Sequence, residues 1–183
     1  MVRGGFVKNP KQKGGSFDRE VCQKLSKWVS YGERDDIFWR SAMSGGRATV
    51  GMKRGIKRTS QAGDITAIDP LGNKLTDKFV IECKFYKNIH IESMMFGKPK
   101  VGTILEFWTK LYKDSEKLNK DMMLVIKQNG WPVLMGLAGH NEFRANLGHD
   151  YRISPLVKFN HVTPGCCLYN FNTILKEVDP EGV

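Results

Sequence analysis

The feature that most limits how this chain can fold is residues 79–85, which read Phe-Val-Ile-Glu-Cys-Lys-Phe. This apolar run predicts a strand, in which side chains point alternately to opposite faces. Ile81 and Cys83 then share one face, while Glu82 and Lys84 share the other. The apolar face can enter a core, whereas a carboxylate and an ammonium inside an apolar strand must have partners or a purpose. A salt bridge on a solvated face and a functional pair both fit this pattern.

The hydrophobic periodicity of the remaining chain predicts an α/β domain with a mixed central β-sheet flanked by helices. We expect helices at residues 17–30, 101–119 and 171–178, and strands at 37–39, 64–68, 78–85, 122–126 and 133–138. Ser16 is the expected N-cap of the first helix. Pro70 and Gly72 suit a tight reversal between the second and third strands, which are therefore predicted to pair antiparallel. The polar segment 41–62 is predicted to be a loop or a hairpin, and the chain between residue 140 and the last helix is predicted to be irregular.

The length of 183 residues suits a single domain. Residues 1–15 are basic and glycine-rich, so we expect a flexible arm ahead of a domain at 16–183, with its core at about 16–138 and a C-terminal extension at 139–183. No apolar run approaches the roughly 20 residues of a spanning helix, and no signal-type stretch is present, which predicts a cytoplasmic protein without a membrane partner. The four cysteines lack zinc-site spacing and are expected to be reduced and buried.

The formal net charge of +10 is concentrated in one third of the chain. Residues 1–60 contain 14 Lys and Arg against 5 Asp and Glu, whereas residues 61–183 contain 15 against 14. A solvated basic surface could give this distribution. The asymmetry nevertheless favours a polyanionic partner, and nucleic acid over a membrane because no basic amphipathic anchor is evident.

A second acidic residue, Asp64, opens the strand that precedes residues 79–85. If the two strands pair, the Asp64 carboxylate can lie close to that of Glu82 on the same face. Oxygen ligands of this kind suit Mg²⁺ or Mn²⁺, which keep several waters and take one or two carboxylates plus substrate phosphate oxygens. The alternative interpretation is that Asp64 only caps a turn.

Three acidic residues and one lysine carry a resemblance to a known family. They are Glu20, Asp64, Glu82 and Lys84. An aspartate followed by an acidic-x-lysine tripeptide resembles the PD-(D/E)xK nuclease superfamily, and within it this chain looks most like the Holliday junction resolvases of archaea and phages. The similarity covers about residues 16–138, with Ala62-Gly63 in place of the nominal proline. It implies a restriction-endonuclease-like core and metal-dependent hydrolysis of phosphodiester bonds.

The resemblance also implies a role for each matched residue. Asp64, Glu82 and the backbone carbonyl of Cys83 would bind Mg²⁺ or Mn²⁺. Lys84 would orient or activate the attacking water, or stabilise the charge that builds on the phosphate. Metal ions neutralise the non-bridging oxygens and lower the pKa of bound water, so these residue types suit the reaction.

Glu20 would complete the site, either through a metal-bound water or as a direct ligand. Glu20 and Lys24 are also spaced for an ordinary i, i+4 ion pair on one helical face, and that alternative stays open. The sequence shows no nucleophilic Ser or Cys beside a recognisable base, no GxxxxGK[ST] loop and no HExxH motif. The chain therefore lacks the characteristic residues of covalent hydrolases, NTPases and zinc proteases.

Two sets of basic residues are expected to bind DNA. The first set is spaced by glycines just ahead of Asp64 and comprises Arg47, Lys53, Arg54, Lys57 and Arg58. The second set lies on the helix predicted at 101–119 and comprises Lys110, Lys113 and Lys117, for which a solvated lysine face is an equal alternative. No base-reading helix or RNA-binding aromatic motif is recognisable, so we expect recognition of shape and charge.

The sequence therefore predicts a Mg²⁺-dependent endodeoxyribonuclease selective for branched DNA. The resemblance also implies a homodimer, which has a physical reason: a four-way junction presents two equivalent strands to a two-fold pair of sites. Two alternatives stay open. One is a different PD-(D/E)xK nuclease, such as a restriction, repair or exonucleolytic enzyme, and the other is a non-catalytic nucleic-acid-binding protein with structural carboxylates.

Overall fold

The computed structural model describes residues 10–41, 63–98, 100–130, 132–137 and 154–182. Within these ranges the helices are α1 (Pro10–Val29), α2 (Asn73–Lys78), α3 (Glu92–Phe96), α4 (Ile104–Leu118) and α5 (Phe171–Glu177). The strands are β1 (Phe38–Arg40), β2 (Ile65–Ala67), β3 (Phe79–Tyr86), β4 (Asp121–Gln128), β5 (Leu134–Leu137), β6 (Val157–Phe159) and β7 (Cys166–Asn170). Short 3-10 helices occupy Pro70–Gly72 and Pro180–Gly182.

The main sheet has five strands in the order β3-β4-β5-β7-β6. Its β3 and β4 are parallel, and its other neighbouring strands are antiparallel. The predicted α/β class with a mixed central sheet flanked by helices is therefore confirmed, and the fold is compatible with a restriction-endonuclease-like core. The short antiparallel pair β1-β2 forms a separate sheet.

The two faces of the main sheet are buried under different helices. Cys83 and Val125 belong to the hydrophobic cluster that includes Val21 of α1. Val80 and its cluster pack with Trp108 of α4 on the other face. Because Val80, Glu82 and Lys84 alternate with Ile81 and Cys83 along β3, the charged pair lies on the α4 side of the sheet.

The predicted start of the first helix is wrong. The helix α1 begins at Pro10, so Ser16 is not its N-cap, and residues 10–15 are helical instead of belonging to the arm. Gly15 is buried against the guanidinium of Arg40, where an added Cβ would meet Nη1 at 3.1 Å. The glycine thus permits a close approach of the Arg40 guanidinium to α1. Residues 1–9 of the predicted arm lie outside the described residues.

The predicted antiparallel pairing between residues 64–68 and 78–85 is also wrong. Strand β2 pairs with β1, and its entry meets β3 through a parallel bridge between Gly63 and Ile81. The Asp69 carboxylate accepts a hydrogen bond from the Leu71 N–H at 3.0 Å and caps a 3-10 helix that leads directly into α2. A proline at the first position of a helical turn suits this path as well as it suits a reversal.

The predictions for the second half of the chain are confirmed for α4, β4, β5 and α5. The expectation of an irregular chain after residue 140 is wrong where the structure describes it, because β6 and β7 extend the main sheet. The loop or hairpin predicted at 41–62 lies outside the described residues except for Ser41. Among the helices that the structure describes, none has the length and apolarity needed to cross a bilayer.

Candidate active site

Asp64 is fixed against the edge of β3 by its backbone and by its side chain. Its N–H donates to the Ile81 carbonyl at 2.8 Å, and its Oδ2 accepts from the Cys83 N–H at 2.9 Å. The preceding Gly63 has φ +82°, and a Cβ there would collide with the Ile81 carbonyl oxygen. Only glycine allows this approach of the two segments without a backbone shift. The aspartate therefore reaches β3 because of the residue that precedes it.

Glu82, Lys84 and Asp64 converge at this edge. The Lys84 ammonium donates a hydrogen bond to Glu82 Oε1, and its Nζ lies 3.8 Å from Asp64 Oδ2. The side chains are 13% exposed at Asp64 and 22% exposed at Glu82 and Lys84. The predicted sharing of one face by Glu82 and Lys84 is thus realised, and both carboxylates contact a single ammonium group.

Partial burial makes the charges of this cluster interdependent. Burial, and after it the Asp64 carboxylate, raises the pKa of Glu82 against the opposing effect of Lys84. Burial lowers the pKa of Lys84, but Glu82 and Asp64 outweigh it, so that the pKa is raised overall. Two carboxylates beside one ammonium leave an excess negative charge when all three are ionised. Such a site attracts a further cation.

The donor set fits a hard divalent ion. No three His, Cys, Asp or Glu side chains in the described parts of the chain are grouped to hold a metal. Asp64 and Glu82 would therefore need a backbone carbonyl, water or phosphate oxygens to complete the shell, as is usual for Mg²⁺. The Cys83 carbonyl suits this role, because the N–H and C=O of one strand residue point the same way and the Cys83 N–H points to Asp64.

The structure does not bring Glu20 into this cluster. Its carboxylate lies 2.7 Å from Lys127 Nζ and 3.3 Å from Lys24 Nζ. Lys127 is in register with Phe85, so it projects to the face of the sheet opposite Lys84. The predicted i, i+4 ion pair is present, and Glu20 belongs to a salt-bridge group on the α1 side.

Asp18 is the acidic residue of α1 whose charge interacts with Asp64 and Lys84 of the candidate site, and it was not predicted from the sequence. Its side chain accepts a hydrogen bond from Arg40 Nε at 2.9 Å, and the residue is only 7% exposed. Burial, followed by the Asp64 carboxylate, raises the pKa of Asp18, while Arg40 and Lys84 oppose that rise. The available signal was spacing, since Asp18 shares the apolar stripe of Val21 and Cys22.

Helix α4 brings two further side chains to the charged face of β3. The positive charge of Lys110 favours the ionised form of Glu82 by lowering its pKa. The Phe107 ring lies 5.7 Å from Lys84 Nζ and is stacked on Tyr86, with 5.1 Å between the ring centroids. Lys110 was predicted from the sequence, whereas the two aromatic residues were not.

The other two lysines predicted to bind DNA on α4 lie on its exposed surface. Lys113 is exposed, and Lys117 lies 3.1 Å from Asp114 in a surface ion pair. The glycine-spaced set ahead of Asp64 lies outside the described residues: Arg47, Lys53, Arg54, Lys57 and Arg58.

The cysteines near the site are poor nucleophiles. All four cysteines of the chain are free and buried, as predicted. Burial raises the pKa of Cys83 well above its ordinary value and that of Cys22 to about 12. Because the thiolate is the reactive form, neither residue is suited to covalent catalysis at neutral pH.

In this mixed sheet, an acidic-x-lysine tripeptide lies in the edge strand and an aspartate from another segment is bonded beside it. This arrangement is expected of a PD-(D/E)xK nuclease. Residues 9–181 match the model of a family described as "Phage putative PDDEXK endonuclease". The chain belongs to this family and is a nuclease of the PD-(D/E)xK type. No curated protein and no solved structure gives a significant match. The narrower resemblance to Holliday junction resolvases stays a prediction.

Proposed function

We propose that the protein is a Mg²⁺-dependent DNA endonuclease that acts preferentially on branched DNA, in the manner of a Holliday junction resolvase. The observation that carries the hydrolytic part is the convergence of Asp64 and Glu82 on Lys84 at the edge of β3. Family membership supports a nucleic-acid substrate. Selectivity for junctions rests on the sequence resemblance and on the expectation that shape and charge are recognised.

The chain's own residues suit phosphodiester hydrolysis. Asp64, Glu82 and the Cys83 carbonyl would hold Mg²⁺, which supplies charge neutralisation and a more acidic bound water. Lys84 lies beside both carboxylates, where it would orient or activate the attacking water, or stabilise the charge that builds on the phosphate. Lys110 extends the positive potential toward an incoming strand.

A homodimer is part of the same proposal. Two equivalent strands of a four-way junction require two active sites related by a two-fold axis, and a symmetric dimer supplies them. Sedimentation of the protein alone and with junction DNA tests this expectation. A monomer in both states would contradict paired cleavage by a stable dimer.

The metal site is tested with Asp64→Asn and Glu82→Gln. We expect each variant to lose at least about 100-fold in Mg²⁺-dependent cleavage, because loss of either carboxylate removes charge that holds the ion. DNA binding in EDTA should persist. Asp114→Asn, a surface acid on α4, is the matched control and should cleave normally. Undiminished cleavage by both site variants would refute the assignment.

The substrate is tested by incubating the wild-type protein with four-way junction, flap, duplex and single-stranded DNA, each with Mg²⁺ and with EDTA. Preferential cutting of the junction with Mg²⁺ alone supports the full proposal. Equal cutting of duplex and junction would indicate a different PD-(D/E)xK nuclease. Binding without cleavage under any divalent ion would indicate a non-catalytic nucleic-acid-binding protein.

A further inference from the structure

A pair of stacked aromatic rings stands beside the proposed metal site. The ring planes of Tyr86 and Phe107 are inclined by 27°, with 5.1 Å between their centroids. Phe107 is half-buried and packs against the hydrophobic cluster under α4, whereas Tyr86 is 41% exposed. The outer ring is therefore held in place by the inner one while part of it remains open to solvent.

This pair continues the row of active-site side chains. Glu82, Lys84 and Tyr86 occupy alternate positions of β3 and so point to the same face. A strand rises about 3.3 Å per residue, which places Tyr86 about 6.6 Å beyond Lys84 along the strand. That distance is close to two base steps of about 3.4 Å. A DNA strand lying over the carboxylates would bring a nearby nucleotide to the rings.

We propose that Tyr86, supported by Phe107, stacks against an unpaired base next to the scissile phosphate and thereby selects DNA with a branch or bulge at that point. This inference rests on the proposed function and names the element of the substrate that is recognised. Every base has an aromatic face, so stacking tolerates any sequence. In a continuous duplex those faces are covered by neighbouring base pairs, whereas at a branch they become available.

The location of the pair distinguishes this role from ordinary packing. A single exposed aromatic side chain needs no special explanation. Here, however, the inner ring also lies 5.7 Å from the Lys84 ammonium, so the aromatic surface and the phosphate-binding charge are adjacent. Single-strand binding sites combine these two elements, a positive charge for the backbone and a ring for the base.

The test measures binding in EDTA to three DNAs of equal length: a paired duplex, the same duplex with a two-nucleotide bulge, and a four-way junction. The variants are Tyr86→Ala, Tyr86→Leu and Tyr86→Phe. We expect Ala and Leu to weaken bulge and junction binding by roughly 5- to 150-fold, the range that corresponds to loss of one stacked base. Paired-duplex binding should change much less, and Phe should retain wild-type selectivity because it keeps the ring.

A fluorescent base analogue at the bulge gives a second readout. Stacking on Tyr86 should quench 2-aminopurine with wild type and Tyr86→Phe but not with Tyr86→Leu. Tyr31→Ala, which removes an exposed tyrosine at the far end of α1, is the control for loss of surface tyrosine. Equal losses on paired and bulged DNA, or no loss on either, would overturn the stacking role.

These measurements separate the two proposals. The binding measurements do not require cleavage. A wild-type protein without nuclease activity would therefore refute the proposed hydrolytic function, while the binding result would still decide the role of Tyr86. Conversely, a wild type that cuts junctions with Mg²⁺, together with a Tyr86→Ala protein of unchanged selectivity, would refute only the stacking inference. Thermal unfolding of each variant checks that the domain is intact.

Discussion

Among single residues, Asp18 and Glu20 of α1 carry the same charge but lie in different surroundings. Asp18 is buried beside Arg40 and its pKa is influenced by Asp64, whereas Glu20 pairs with Lys127 of β4 on the α1 side of the sheet. Their different placement follows from the helical period, because residues two apart point in nearly opposite directions. The charge of Asp18 interacts with those of Asp64 and Lys84 in the candidate site, whereas that of Glu20 interacts with Lys127 and Lys24.

We predict that Asp18→Asn lowers Mg²⁺-dependent cleavage about 10-fold or more, the size of effect common for groups around a metal site, because its charge interacts with those of Asp64 and Lys84. Glu20→Gln should change the rate by less than about threefold, since its partners stand on the opposite face. Single-turnover cleavage at saturating DNA measures both. A larger loss of cleavage in Glu20→Gln than in Asp18→Asn would mean that Glu20, and not Asp18, acts at the site.

The residues of the site were predictable to different degrees. Glu82 and Lys84 were recognisable because an alternating strand leaves a charged pair on one face. Asp64 was recognisable through the family pattern, although the pairing used to bring it near Glu82 was wrong. Asp18 and Tyr86 were not, because their importance depends on how α1 and α4 cross the sheet, which no local spacing encodes.

Where two elements meet, Gly63 decides whether the segment entering β2 can approach β3. Gly63 and Gly130 both have positive φ, at +82° and +76°. An added Cβ at Gly63 would collide with the Ile81 carbonyl, whereas one at Gly130 would have nothing within 4 Å. Replacing either glycine with alanine would therefore introduce similar backbone strain, but only the replacement at Gly63 would add a steric clash.

We predict that Gly63→Ala destabilises the protein by about 2–4 kcal/mol, from left-handed strain plus forced displacement of the backbone. Gly130→Ala should cost only about 1 kcal/mol, because it introduces the strain alone. Urea unfolding measures the difference, and Gly63→Ala should also lose cleavage as Asp64 moves. Equal destabilisation by the two substitutions would argue against the close approach.

The elements themselves were predicted best where their apolar residues follow a clear pattern. An amphipathic stripe between Val101 and Leu118 defined α4, and continuous apolar runs defined β3 and β4. The three-residue β6 has one buried residue, so it offers no period to detect. The path after β2 was ambiguous because Asp69 and Pro70 suit both a tight turn and a helical start.

On the scale of the whole molecule, charge distribution predicts where DNA binding is most sensitive to salt. We expect Lys57→Ala with Arg58→Ala to reduce the slope of log affinity against log salt by roughly 2, close to 0.9 for each phosphate that the protein no longer neutralises. Lys158→Ala with Lys176→Ala removes the same charge from exposed positions on β6 and α5 and should leave the slope nearly unchanged. Binding to duplex in EDTA between about 50 and 200 mM salt measures both. Identical slopes in the two double variants would mean that net charge, and not the segment ahead of Asp64, controls affinity.

The alternation of β3 has a consequence for how this molecule can evolve. Glu82 and Lys84 face α4, while Ile81 and Cys83, which alternate with them, are packed on the α1 side. An insertion or deletion of one residue inside the strand would move each set of side chains to the opposite face. The charged side chains would then be buried, and the Cys83 thiol would be exposed. A lineage can therefore replace side chains on either face one at a time, but it cannot alter the spacing between them. The spacing of the residues along β3 is therefore more strongly constrained in evolution than the identity of its individual side chains.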